Sequence, residues 1–149
     1  MTEFLQTTID KFTFKVATDR LYDELGVWCL ADEDGGVRVG LSDYTQQRSG
    51  DMAFAEPKPV GTVLAAGDEI AGIETVKVSL AVESPLAGVI REVNAELESS
   101  PEVINEDPYG NGWIAVVDPA DWEAARPGLL TPEAHLAAIT QEATDELGA

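Results

Sequence analysis

Residues 72–88 read Gly-Ile-Glu-Thr-Val-Lys-Val-Ser-Leu-Ala-Val-Glu-Ser-Pro-Leu-Ala-Gly, a lysine set between two runs with strand character. Thr75, Lys77 and Ser79 alternate with Val76, Val78 and Leu80, which puts the lysine on the polar face of a strand or at a bend in it. Between Asp51 and Val117 the only basic residues are Lys58, Lys77 and Arg91, so an isolated ammonium here needs a reason. The bland reading is an exposed strand lysine. Glu74 and Glu83 lie close in sequence and favour the charged amine. Lys77 is therefore not built to act as a base or Schiff-base nucleophile, which needs a depressed pKa. If it carries chemistry, it does so as a group that another enzyme modifies.

The surrounding text predicts a mainly β chain. "VWCLADEDGGVRVGLS" gives strands at 27–31 and 37–41 around an Asp34-Gly35-Gly36 turn. "SDYTQQRSG" predicts a short helix with Ser42 as N-cap and Gly50 beyond its end. "MAFAE", "GTVLAAGDEIAGIE", "TVKVSLAVES" and "GVIREV" read as further strands, punctuated by glycines and prolines as in sandwiches and barrels. Ser100 as N-cap and Pro101 at the first position predict a helix that Pro108 and Gly110-Asn111-Gly112 end, before a strand in "WIAVV". "PADWEAARP" predicts a short helix stopped by Pro127. A last helix opens at Thr131-Pro132, with Leu136, Ile139, Ala143 and Leu147 as a stripe facing the β core. No domain boundary interrupts the 149 residues, which read as one domain with a core over about 20–122 and a helical extension over about 119–147.

Twenty-eight acidic against nine basic residues give a formal charge of −19. Such a field repels phosphate backbones and anionic headgroups, so neither nucleic acid nor a membrane surface is expected as a partner. It suits basic partners or a salty medium. The start carries Glu3 and no long apolar run, no apolar stretch is long enough to span a bilayer, and Cys29 is the only cysteine. A cytoplasmic protein is the expectation. His135, the only histidine, reads as a surface or half-buried helix residue, and Cys29 as a small buried hydrophobe. No metal set and no nucleophile–base pair emerges, so no catalytic residue is assigned.

"VGLSDYTQQRSGDMAFAEPKPVGTVLAAGDEIAGIETVKV" and "ESPLAGVIREVNAELESSPEVINEDPYGNGWI" closely resemble the H protein of the glycine cleavage system, over about Gly26–Trp122. The family's E-S-V-K sequence at its lipoylated lysine reads Glu74-Thr75-Val76-Lys77 here, followed by Val78. Its S-P-x-x-G turn falls at Ser84, Pro85 and Gly88, and its N-x-D-P-Y-G-x-G-W segment at Asn105–Trp113. The resemblance implies a barrel-sandwich hybrid with short peripheral helices and a C-terminal helix. It implies a non-catalytic carrier whose lipoyl group is amide-linked to Lys77 at a hairpin tip, with Glu74, Thr75, Val76 and Val78 completing the modification motif. The loaded arm would rest near Asn105, Asp107, Tyr109, Gly110 and Trp113. Biotin-carrier versions of the fold bracket their lysine with methionines, whereas valines stand here.

The chain also departs from the family. The His-x-Trp pair reads Gly26-Val27-Trp28, and the A-A-S-D after the lysine reads Val78-Ser79-Leu80-Ala81. These changes resemble a divergent branch, lipoate-binding proteins that serve sulfur oxidation with a heterodisulfide-reductase-like complex, and that branch is the favoured expectation. The alternatives are a glycine cleavage carrier shuttling an aminomethyl group and an unmodified acidic interaction protein. The implied partners are a lipoate-protein ligase, the heterodisulfide-reductase-like complex or the glycine cleavage enzymes, and dihydrolipoamide dehydrogenase.

Overall fold

A computed structural model describes residues 2–147, the side chain of Leu147 excepted. Eleven strands form three antiparallel sheets. β1 (Phe4–Ile9) and β2 (Phe12–Ala17) pair as a separate hairpin. A six-stranded sheet runs in the order β3 (Leu21–Tyr22), β4 (Val27–Ala31), β5 (Val37–Leu41), β11 (Ala115–Pro119), β10 (Gly88–Val93) and β7 (Val63–Leu64). The third sheet holds β6 (Met52–Pro57), β8 (Glu69–Thr75) and β9 (Ser79–Glu83), with β8 in the middle.

The main core lies between the two larger sheets. Val27, Cys29, Val37, Val39, Leu41, Ile90 and Val117 from one meet Ile70, Ile73 and Val82 from the other, all buried. Alternation explains the split: Glu69, Glu74, Ser79 and Glu83 face solvent while their apolar neighbours point inward. The strands around Asp34-Gly35-Gly36 and the helix α1 (Asp43–Ser49) form as predicted, with Ser42 Oγ accepting from Thr45 N at 3.2 Å. "GTVLAAGDEIAGIE" divides into β7 and β8 because Gly67, at φ +93°, and Asp68 turn the chain between them.

Around residue 100 the boundary differs from expectation. Two single-turn helices, α2 (Glu96–Ser99) and α3 (Val103–Glu106), replace one, and Ser100 ends the first instead of capping the second. Pro101 sits in the turn between them, whose Ser100 carbonyl accepts from Val103 N. α4 (Trp122–Ala125) runs on into a 3-10 turn over Arg126–Gly128, so Pro127 tightens the helix rather than simply stopping it.

The C-terminal helix α5 (Pro132–Leu147) is capped by Thr131 Oγ1, which accepts from Ala134 N. Its stripe covers a second cluster and not the main core. Ile139 and Ala143, with Leu136 beside them, pack on Phe14, Val16, Tyr22, Trp28 and Tyr44. Leu147 of the expected stripe lies outside the described side chains. The β1–β2 hairpin, not read from sequence, provides most of the surface that the helix covers.

His135 is only 2% exposed, a correction to the surface or half-buried reading. Its ring stacks on Tyr22 with centroids 4.1 Å apart and planes 2° from parallel. Burial lowers its pKa from 6.5 to about 4, so the native protein holds a neutral imidazole. Between those values the unfolded chain binds the extra proton and the folded one does not, so stability falls as pH drops from about 6.5 to about 4. The loss from this residue is on the order of 3 kcal/mol. Urea unfolding at pH 7 and pH 4.5 should show a smaller drop for His135→Phe, which keeps the ring stack, than for the parent. Equal drops would contradict this.

Candidate functional site

The β8–β9 turn places Lys77 at the tip of an exposed hairpin. Val76 is 73% and Val78 49% exposed, so the lysine stands at a bend and not within a ladder. Thr75 shapes that bend. Its backbone N–H donates to the Val78 carbonyl at 2.8 Å, and its Oγ1 accepts from Lys77 N at 3.1 Å and Val78 N at 3.0 Å. A single hydroxyl thereby satisfies two amides that no strand partner reaches. Among the described residues Lys77 makes no ion pair, so neither Glu74 nor Glu83 ties the amine down.

The lysine stem rests over Gly50, the residue that ends α1. A Cβ built on Gly50 would lie 3.4 Å from Lys77 Cε and 3.5 Å from Cδ, and Gly50 adopts φ +94°. Glycine therefore both permits the turn and leaves room for the stem. The tip is tied to this segment by Val76 N, which donates to Asp51 O at 3.2 Å.

Asn105 holds the same segment from behind. Its Oδ1 accepts from Met52 N at 2.8 Å, while Nδ2 donates to Gly50 O at 3.0 Å and Gln46 Oε1 at 2.9 Å. Asn105, residues 50–52, Val76 and Lys77 thus form one continuous frame. Asn105→Ala leaves a backbone N–H and a carbonyl without their partner and should cost about 2 kcal/mol. Urea unfolding measures that cost, and ligase assays should show slower lipoylation because the tip loses its anchor. Unchanged values for both would mean that the clamp is dispensable.

The remaining residues of that segment are committed to holding the loop and its neighbours. Asp107 Oδ2 accepts from Asn111 N at 2.8 Å, and its carbonyl accepts from Gly110 N and Gly112 N. Tyr109 donates its hydroxyl to Lys15 O at 2.7 Å and accepts from Asp43 N, and burial raises its pKa to about 12. Trp113 lies under the Arg38 guanidinium at 4.4 Å. Trp28 Nε1 donates to Pro108 O, and Arg20, buried between Trp28 and Tyr109, donates to the Tyr109 carbonyl. A shallow cavity of about 410 Å³ opens beside Asn105, Asp107 and Tyr109, with Lys15, Asp43 and Gln47 across it, while Gly110 and Trp113 lie outside its lining.

The sequence profile of the glycine cleavage H-protein family matches residues 20–142. The chain belongs to that family. It is 39% identical over 127 residues to the glycine cleavage system H protein of Alteromonas mediterranea, covering 85% of this chain and 98% of that one. It is 36% identical over 126 residues to a probable glycine cleavage system H protein 1 of Saccharolobus solfataricus, covering 85% and 92%. The crystal structure of a glycine cleavage system H protein from Mycobacterium marinum superposes with a TM-score of 0.67 at 29% identity, covering 89% and 98%. The barrel-sandwich architecture expected from the sequence is therefore present.

H proteins are non-catalytic carriers with lipoate covalently bound to a lysine. These matches support the glycine cleavage alternative over the sulfur-oxidation branch that the departures around Lys77 favoured. The structure shows why those departures mislead. Ser79, Leu80 and Ala81 stand in β9, paired with β8, so their identities vary one hairpin face and leave the frame of the tip intact. Among the described residues no helix is long and apolar enough to cross a membrane, and no group of metal-ligating side chains occurs.

Proposed function

We propose that the chain is a lipoyl carrier of a glycine cleavage system, with Lys77 as its attachment site. The single observation that carries this reading is a primary amine on an exposed two-strand tip, free of ion pairs among the described residues and built by Thr75. The residues fit the cofactor: the amine is open to an acylating enzyme, and exposed Val76 and Val78 offer apolar surface on either side. When bound, the lipoyl group supplies a dithiolane that opens to a dithiol and takes up a group or an electron pair.

The protein's own part is positional. Thr75, Gly50 and Asn105 fix the base of the arm, Glu74 keeps an acidic residue beside the tip, and Asp107, Gly110 and Trp113 brace the loop behind it. The cavity beside Asn105 and Tyr109 offers the arm a resting place on that side. The whole chain acts as one carrier domain, since α5 and the β1–β2 hairpin share a cluster with Trp28 of β4. Its partners are a lipoate-protein ligase, the glycine decarboxylase and aminomethyltransferase of the system, and dihydrolipoamide dehydrogenase. All of these interactions take place in the cytoplasm.

The test is reconstitution. Lipoylated protein mixed with glycine decarboxylase should support exchange between bicarbonate and the glycine carboxyl group, and unlipoylated protein should not. Equal exchange with both forms would overturn the proposal.

A further inference from the structure

Below the hairpin tip, on the side formed by α1 and α5, lies a second cavity of about 410 Å³ that includes Val78 in its wall. Two of its lining side chains are anomalous. Tyr44 Oη and His135 Nε2 are buried without a hydrogen-bond partner among the described residues. Tyr44 is 6% exposed, and Glu142 and Arg48 lie beside its hydroxyl without closing a hydrogen bond to it. Orphan buried polar atoms are uncommon, since each forfeits the water it left behind. Two of them on one cavity, next to the residue that follows the attachment lysine, point to a ligand that supplies the missing partners.

The cavity also accounts for the missing histidine of the His-x-Trp pair. Gly26 lines it, and a Cβ built there would fall 1.9 Å from Thr45 Oγ1, with φ at +84°. A side chain at position 26 is therefore excluded, and the only imidazole of the protein reaches the same cavity from α5 instead. Charge completes the picture. Glu24, Glu142 and Glu146 surround the mouth against Arg48 alone, which pairs with Glu146. The wall thus keeps a surplus of negative charge, favourable to a cation and hostile to an anion.

We propose that Tyr44 and His135 form the hydrogen-bonding seat for a protonated amine carried on the arm. They are specificity-determining residues that favour an ammonium cargo over an anionic sulfur-derived one. The inference rests on the carrier reading above. The neutral imidazole and the phenol oxygen accept from the ammonium, while Glu142 and Glu24 provide the field.

Because the chain has one histidine, its imidazole nitrogens give an unambiguous NMR signal. Histidine-labelled protein is lipoylated, confirmed by mass, then charged with glycine and glycine decarboxylase. The His135 Nε2 resonance should move on charging and return on discharge. In parallel, charged Tyr44→Phe and His135→Gln proteins should lose their cargo about tenfold faster, as expected for one lost hydrogen bond to a charged group. Tyr44→Phe removes only a hydroxyl and guards against a folding failure in the other variant. A still His135 resonance in protein of confirmed charged mass, or unchanged cargo lifetime in both variants, overturns this inference and leaves the carrier reading standing. A protein that never takes the charge overturns both.

Discussion

Lys77→Arg should abolish lipoylation completely and with it all glycine exchange, while leaving the fold untouched. Arginine preserves the positive charge and the long stem that lies over Gly50, but a guanidinium has no primary amine to acylate. The tip is held by Thr75 and by Val76 N on Asp51 O, neither of which involves the lysine side chain. Stability should therefore stay within about 0.5 kcal/mol of the parent, as for exposed substitutions generally. Mass spectrometry after incubation with ligase and lipoate, paired with urea unfolding, checks both halves. Residual modification of the variant would move the site elsewhere.

Trp28→Ala should be the most damaging single change to the fold. The indole is fully buried and lies flat on Gly40 of the next strand, where a Cβ would come within 2.6 Å of the ring. It supports Arg20 from below at 4.5 Å and donates to Pro108 O. Removing it opens a large cavity, strands the Pro108 carbonyl and releases the guanidinium stacked on it. A loss of about 4 kcal/mol follows from the size of the side chain alone. Because the indole also fixes the loop that carries Asn105, surviving folded protein should be lipoylated more slowly. Trp28→Phe, which keeps a ring but drops the donor, should fall between parent and alanine variant. Unfolding curves that match for all three proteins would contradict this.

The parts of the fold that were legible in the sequence are those fixed by local chemistry. Asp34-Gly35-Gly36 between apolar runs, Ser42 with Gly50, and Thr131 with Pro132 each specify their element within a few residues. The β1–β2 hairpin carries the same kind of signal, Phe12, Phe14 and Val16 alternating with polar residues across Asp10-Lys11. Its turn, however, has no glycine: Asp10 itself adopts φ +56°, so the usual turn marker is missing. His135 lies four residues before Ile139 and eight before Ala143, hence on the buried stripe. A polar side chain at that register reads as a face boundary until Tyr22 is seen stacked on it.

The site divides along the same line. The identity of Lys77 and the role of Thr75 are local, confined to a four-residue turn. The clamp of Asn105 on residues 46–52 spans more than fifty residues of chain and exists only once the sheets have formed. The cavity that joins Gly26, Tyr44 and His135 is likewise invisible in a linear text, because three distant segments build it. The same holds for the substitutions at 79–81. In sequence they seemed to rewrite the surroundings of the lysine, whereas in space they belong to one strand of the hairpin.

The central claim is tested most directly by the mass of the protein purified from a host with active lipoylation, with peptide mapping across residues 72–91. A single lipoyl increment on Lys77, and none on Lys58, is the predicted result. An unmodified Lys77 in cells whose other lipoyl proteins are fully modified would contradict it.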